Sequence, residues 1–326
     1  MTGLNGDGLI FSENYVKTLN ETVIPYIEAH RTDLKIEGEH GNPLFVSRFD
    51  ADAPEGTVLF VHGFTENAEK FVELIYSLLQ NNLSVVAYDQ RGHGRSWRAE
   101  GLSDMSLTHV DAFEDYVKDM DAVCRKVVQL MPEPHRVFCH SMGGAVTALY
   151  LEEHPGLFDR AAMCAPMIAP NLKGLPLPAV RLMCKANKAL GRAKKRVFIF
   201  KPYTYPDDFD TSCATGRERF DWYETLRRDQ PEFSNNSPSY SWLLESVEVT
   251  DKILAPGAAE RIDAKIRVYT AAIDDIVLPE PQKTFVARLR DASRVDVEGA
   301  KHEIYRSADD VFFPWWRDVL EFLKAN

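Results

Sequence analysis

Nowhere in the 326 residues does an uninterrupted apolar run approach the ~18 residues that a membrane-spanning helix requires, so no transmembrane segment is expected. The first eight residues, Met1 to Gly8, contain no Lys or Arg and lead into no long apolar stretch, so no secretory signal is expected either. Cysteine is scarce. Cys124, Cys139, Cys164, Cys184 and Cys213 make an odd count, with no C-x-x-C pair and no Cys/His cluster. That argues against a disulfide framework and a structural zinc, and points to a reducing compartment. Basic charge is also in short supply: 38 Lys and Arg against 49 Asp and Glu, a net charge of −11. Phosphate backbones need a basic face, so no nucleic-acid partner is expected. The expectation is a cytoplasmic protein.

What is present is enough apolar material for a sizeable core, 45% hydrophobic residues with 27% charged. The length suits two compact units, or one large domain carrying an insertion. Short β-branched and apolar runs bounded by Gly, Pro, Asn and Asp predict strands at 33–38, 44–49, 57–61, 84–88, 136–140, 160–165, 265–270 and 293–297. The first two flank His40-Gly41-Asn42 and read as an antiparallel hairpin. Between the others lie segments of helical periodicity at 68–80, 111–130 and 145–153. Alternating strands and helices imply a mostly parallel sheet covered on both faces.

One interval breaks the alternation. The stretch between 165 and 265 is far longer than a crossover of about 30 residues needs. Its composition also shifts, with ten Lys/Arg and no Asp or Glu from 160 through 206, followed by an aromatic-rich segment. Residues 168–255 are therefore expected to form an inserted unit, with 1–167 and 256–326 forming the core.

The chemistry is concentrated at strand ends. Strand 136–140 runs into Ser141-Met142-Gly143-Gly144 and then a helix, a context in which a tight turn exposes a hydroxyl. Measured against G-x-S-x-G, Gly143 matches but Cys139 replaces the first glycine. A serine hydroxyl needs a base, and the base an orienting acid. Active sites of open α/β sheets lie at the carboxyl ends of strands. Two such loops carry Asp274-Asp275 and His302, in the chain order Ser…Asp…His. Either aspartate fits on position alone. A third loop, Val61-His62-Gly63-Phe64, offers the Phe64 N–H to pair with that of Met142 as an oxyanion hole, with His62 and Gly63 bracing it.

These motifs, together with Asp89-Gln90-Arg91-Gly92-His93-Gly94-Arg95-Ser96, His140-Ser141-Met142-Gly143-Gly144 and Gly299-Ala300-Lys301-His302-Glu303-Ile304, resemble those of the α/β-hydrolase fold. The resemblance is to the lysophospholipase and monoacylglycerol lipase branch, with a serine aminopeptidase S33-type domain. Gly41-Asn42-Pro43-Leu44 and the stretch from Phe113 to Val117 point to its L2-like lysophospholipases. It covers the chain from about Asp33 onward and is weakest in the insertion. It implies an eight-stranded, mostly parallel sheet flanked by helices, with 168–255 as a mainly helical lid.

By the same resemblance Ser141 is the nucleophile, His302 the general base, and Phe64 and Met142 the oxyanion amides. A D-x-[IV]-V pattern selects Asp274 as the acid, with Asp275 as fallback. Neither metal nor organic cofactor is implied. The implied substrate is a lipid-like monoacyl ester, a lysophospholipid ahead of a monoacylglycerol or a simple carboxylic ester. A proline-type aminopeptidase of the same fold would need lid carboxylates such as Glu218, Glu224 or Glu245 to hold a substrate ammonium. A non-catalytic ligand-binding relative would be expected to lack a triad member. Within the lid, residues 179–195 show an apolar stripe (Ala179, Met183, Ala186, Leu190, Ala193) beside a basic one (Arg181, Lys185, Lys188, Arg192, Lys195). Such a helix suits peripheral contact with an anionic membrane, the inner membrane for a cytoplasmic protein.

Overall fold

Eight strands form one sheet in the computed structural model, which describes residues 3–325; Met1 and Thr2 of the N-terminal stretch considered above lie outside the described residues. The strands are β1 (Arg31–Glu37), β2 (Pro43–Phe49), β3 (Thr57–Val61), β4 (Ser84–Tyr88), β5 (His135–His140), β6 (Arg160–Cys164), β7 (Lys265–Ala271) and β8 (Ala292–Val297). Their order is β1-β2-β4-β3-β5-β6-β7-β8. β2 pairs antiparallel with β1 and with β4, and every other pairing is parallel. All eight expected strands are present, with ends displaced by at most two residues.

The central strands are apolar at consecutive positions because both faces of the sheet are covered. Leu59, Val61, Val137 and Cys139 point into one core, with α2 (Glu114–Lys126) and α3 (Met142–Glu153). Val58, Phe60 and Phe138 point into the other, with α1 (Val72–Gln80) and the C-terminal helix Asp309–Lys324. The latter face also receives Tyr15, Leu19, Val23 and Ile27, an N-terminal helical stretch for which no helix was expected.

Between β6 and β7 the chain forms α4 (Leu177–Ala189), α5 (Arg217–Asp229) and α6 (Tyr240–Ile253). Val180, Cys184, Val197, Tyr240, Leu244 and Val247 make a small core between α4 and α6. Several contacts fasten the segment to the sheet domain, among them a short parallel pairing of Ser237–Pro238 with Leu107–Thr108. Trp242, Val249 and Ile253 of α6 enter the main core, and the buried Arg219 of α5 bonds Glu73 and Asp309.

The helix expected over 179–195 requires correction. It stops at Ala189, where Leu190 and Gly191, at φ +72°, turn the chain into a left-handed conformation that favours glycine. Arg192 and Lys195 therefore lie beyond the helix. Arg181, Lys185 and Lys188 pair with Asp251, Glu248 and Glu245 of α6, so much of the basic stripe is matched within the insertion itself. Among the described residues, no helix is long and apolar enough to cross a membrane.

Candidate active site

Ser141 sits between the last residue of β5 and the first turn of α3, at φ 50° and ψ −118°. This is a strained conformation for a residue with a Cβ. The surroundings hold it there: its N–H donates to Cys164 O at 3.1 Å, and its carbonyl accepts from Gly144 N and Met167 N, each at 2.8 Å. Gly143 is required by space. A Cβ there would lie 2.0 Å from the carbonyl oxygen of Val61, so the β3 loop can approach α3 only without a side chain. The position at which the motif departs from glycine, Cys139, is buried in β5, and burial pushes its thiol up to about 12.

His302 follows β8 and places Nε2 2.9 Å from Ser141 Oγ. Its Nδ1 lies 2.8 Å from Asp274 Oδ2, while Asp274 Oδ1 accepts from Ile276 N at 2.8 Å and Val277 N at 3.1 Å. Burial alone would raise the Asp274 pKa, but the adjacent imidazole and the two amides outweigh it and hold the carboxyl below its usual range. An ionised Asp274 accepts only, so Nδ1 carries the proton and Nε2 is free to take one from the serine. The two aspartates differ in exposure. The Asp274 side chain is 3% exposed, whereas that of Asp275 is 73% exposed and pairs with Lys173.

Among the described residues neither Phe64 N–H nor Met142 N–H has a protein acceptor, so both donors are uncommitted. His62 braces the same loop. Its Nδ1 donates to Gly63 O at 2.8 Å and its Nε2 accepts from Gln90 N at 2.8 Å, a neutral ring in keeping with the downward push of burial on its pKa. Asp89 accepts from the amides of Ala68 and Arg95, so the Asp89–Ser96 motif buttresses the neighbouring loops.

These groups open into a cavity of about 840 Å³ roofed by the inserted segment. Val180, Met183, Trp242 and Leu243 from α4 and α6 line one side, with Leu172 and Leu175 before them. On the α5 side the lining is charged: Glu224, Arg227, Lys70, Glu303 and Arg306. Of the three lid carboxylates considered for an ammonium, only Glu224 borders the cavity. It is already engaged by Arg227 at 2.8 Å and Tyr203 at 2.9 Å. Glu245 binds Phe113 N and Lys188, and Glu218 is exposed.

A buried group to which the sequence assigned no part lies behind Ser141 and His302. Glu66 accepts from Gly63 N at 2.5 Å, and its carboxylate also meets His140, Lys70 and Tyr305. Lys70 reaches Glu303 at 2.6 Å, and Glu303 reaches Arg306 at 2.6 Å. The visible signal was faint: an acidic and a basic residue, Glu66 and Lys70, in the polar loop and short helix after β3.

A family model described as serine aminopeptidase, S33, matches residues 52–309. The chain belongs to this family. Lysophospholipase L2 of Escherichia coli K12 is 30% identical over 280 residues, spanning 85% of this chain and 81% of that protein. Probable lysophospholipase L2 of Haemophilus influenzae is 25% identical, over 84% of this chain and 86% of that one. The fold is shared with monoglyceride lipase of Saccharomyces cerevisiae, solved with a substrate analogue, at a TM-score of 0.68 and 18% identity, over 90% of this chain and 95% of that one. It is shared also with Paleococcus ferrophilus monoacylglycerol lipase, at 0.63 and 23%, over 86% and 98% of the two chains. The protein is thus an α/β-hydrolase of the serine hydrolase type in the S33 family, on the lysophospholipase and monoacylglycerol lipase branch.

Proposed function

We propose that the protein is a lysophospholipase, cleaving the acyl ester of a lysophospholipid through an acyl-enzyme. Ser141 Oγ attacks the ester carbonyl while His302 Nε2 takes its proton, and Asp274 holds the imidazole in the required tautomer. The amides of Phe64 and Met142 receive the oxyanion. His302 then protonates the leaving alcohol, and water, activated by the same imidazole, releases the fatty acid and restores the serine. Residues 168–255 act as a lid domain over this chemistry.

The observation that carries the reading is the cavity reached by Ser141 and His302: apolar on the α4 and α6 side, charged on the α5 side. An acyl chain gains by leaving water on the first, and on the second Arg227 Nε and Arg306 Nε and Nη2, buried without a hydrogen-bond partner among the described residues, offer donors to a phosphate-bearing head group. The names of the relatives from Escherichia coli and Haemophilus influenzae point the same way.

Purified protein is expected to release fatty acid from lysophosphatidylcholine with a higher kcat/KM than from a monoacylglycerol or a short-chain p-nitrophenyl ester. Ser141→Ala is expected to lose at least ~10³-fold in kcat, because nucleophile, base and acid act as one unit. A preference for the uncharged monoacyl ester would move the assignment to monoacylglycerol lipase.

The same reading includes peripheral contact with lipid, supported by apolar side chains that the insertion presents to solvent. Phe198 is 74% exposed, and Leu182 and Leu190 are each 70% exposed. Leu182 and Leu190 lie within 179–195, the segment expected to make this contact, which is thus supported by its apolar side chains and by Phe198 more than by its paired basic ones.

A further inference from the structure

His140, the residue before the candidate nucleophile, is 2% exposed, yet both its ring nitrogens face oxygen acceptors. Nδ1 is 2.9 Å from Glu66 Oε2, and Nε2 is 3.2 Å from the backbone carbonyl of His302. Neither a carboxylate nor a carbonyl can donate, so both contacts are hydrogen bonds only if both nitrogens carry hydrogen. Glu66 meanwhile accepts from Gly63, the neighbour of Phe64, and from Tyr305, three residues after His302. Three loops of the candidate site, those carrying Phe64, Ser141 and His302, converge on one carboxylate and one imidazole.

We propose that His140 is held as an imidazolium and works with Glu66 as a pair of positioning residues, locking the oxyanion loop, the nucleophile turn and the general-base loop into one arrangement. When His140 loses its proton, one nitrogen becomes an acceptor facing an acceptor. Either the Glu66 bond or the His302 carbonyl bond must then break. The clamp thus holds at neutral pH and opens as the solution becomes alkaline, without any change in the triad's own side chains.

The charged and titratable groups around His140 are consistent with this. Glu66 and Glu303 favour its charge and Lys70 opposes it. The rings of His302 and Tyr305 lie 4.8 and 5.1 Å away, and Cys164 is its partner on β6. Burial works against the charge, but the carboxylates outweigh it, and the His140 pKa lies above the ordinary histidine value.

The proposal rests on the catalytic roles assigned above, and its first test does not depend on them. Ring-15N-labelled protein is examined by NMR at pH 7.5, above the ordinary histidine value of 6.5, in a His30→Gln background. That substitution removes a second, partly buried histidine whose two nitrogens both lie within hydrogen-bond distance of acceptors, Tyr26 O and Asp52; His40, which faces Glu39 and Asp115, is exposed. One buried ring protonated on both nitrogens is expected; its absence overturns the proposal whatever Ser141 does. The second test is kinetic. Wild-type kcat is expected to fall on the alkaline side. Glu66→Gln, which removes the charge that holds the proton, should start about tenfold or more lower at pH 7 and lose that alkaline limb, while KM moves less than about threefold. A merely structural Glu66 would lower the folded yield and leave the pH profile of the folded fraction unchanged, and that outcome contradicts the proposal.

Discussion

A carboxylate with two amides and an imidazole around it behaves differently from its neighbour in water, and Asp274 and Asp275 make that comparison at adjacent positions. Asp274→Asn should reverse the hydrogen-bonding preference at His302 Nδ1 and lower kcat by ~10³- to 10⁴-fold, as loss of the orienting acid does in serine hydrolases generally. Asp275→Asn should leave kcat within about twofold, since its side chain is exposed and bonds the exposed Lys173. Steady-state kinetics on both variants checks the assignment; equal losses would undo it. Gly143 makes a second prediction at this scale. With Val61 O 2.0 Å from the position of a Cβ, Gly143→Ala has to push β3 away from α3, at a cost of about 1–3 kcal/mol in overpacking. A thermal melt should show a lower Tm, and turnover should fall with it, because the same shift displaces the Phe64 amide.

At the level of elements, what could be read from the sequence depended on whether a segment's pattern was set locally. The strands were legible because apolar runs such as Val58 to Val61 and Val85 to Ala87 are buried on both sides, so composition alone marks them. Ser141, Asp274 and His302 stood out as candidates because each follows an expected strand, although the one before His302, Ala292–Val297, is only partly buried. The N-terminal stretch was not: its buried residues Tyr15, Leu19, Val23 and Ile27 repeat every four residues, slightly longer than the α-helical turn, with Pro25 among them. One π-helical turn at Leu19–Val23 absorbs the excess. The 179–195 stripe misled for a related reason, since periodicity shows which face is basic but not that α6 supplies the carboxylates opposite it. The Glu66 and His140 pair was illegible because its partners come from three loops far apart in the sequence. The revised lid makes its own prediction: replacing Phe198 and Ile199 with serine should weaken binding to anionic vesicles in a flotation assay, whereas Lys185→Ala with Lys188→Ala should change it little. The reverse pattern would restore the basic stripe.

For the whole molecule, buried ion pairs set opposite pH limits on stability. Burial would raise the pKa of Glu66 and Glu303, but Lys70 and neighbouring cations outweigh it, placing Glu66 well below 4.5 and Glu303 at about 2. Their contribution is complete above the ordinary value of 4.5 and is lost as pH falls through the lowered values. His140 has the opposite sign: raised from 6.5, it contributes fully below that pH and ceases to as pH rises through its folded-state value. Tm should therefore be sustained between about pH 4.5 and 6.5 and decline on both sides, with Glu66→Gln flattening the alkaline decline. An unchanged alkaline slope in that variant would remove His140 as its source.

The central claim is that Ser141 is an activated nucleophile at the mouth of an acyl cavity, and the most direct measurement is covalent capture. Wild-type protein treated with a long-chain alkyl fluorophosphonate should gain one adduct in intact-mass analysis. Peptide mapping should place it on Ser141, lysophosphatidylcholine should protect against it, and Ser141→Ala should gain none. An adduct on another side chain, or a wild-type protein left unmodified while folded, would contradict the account.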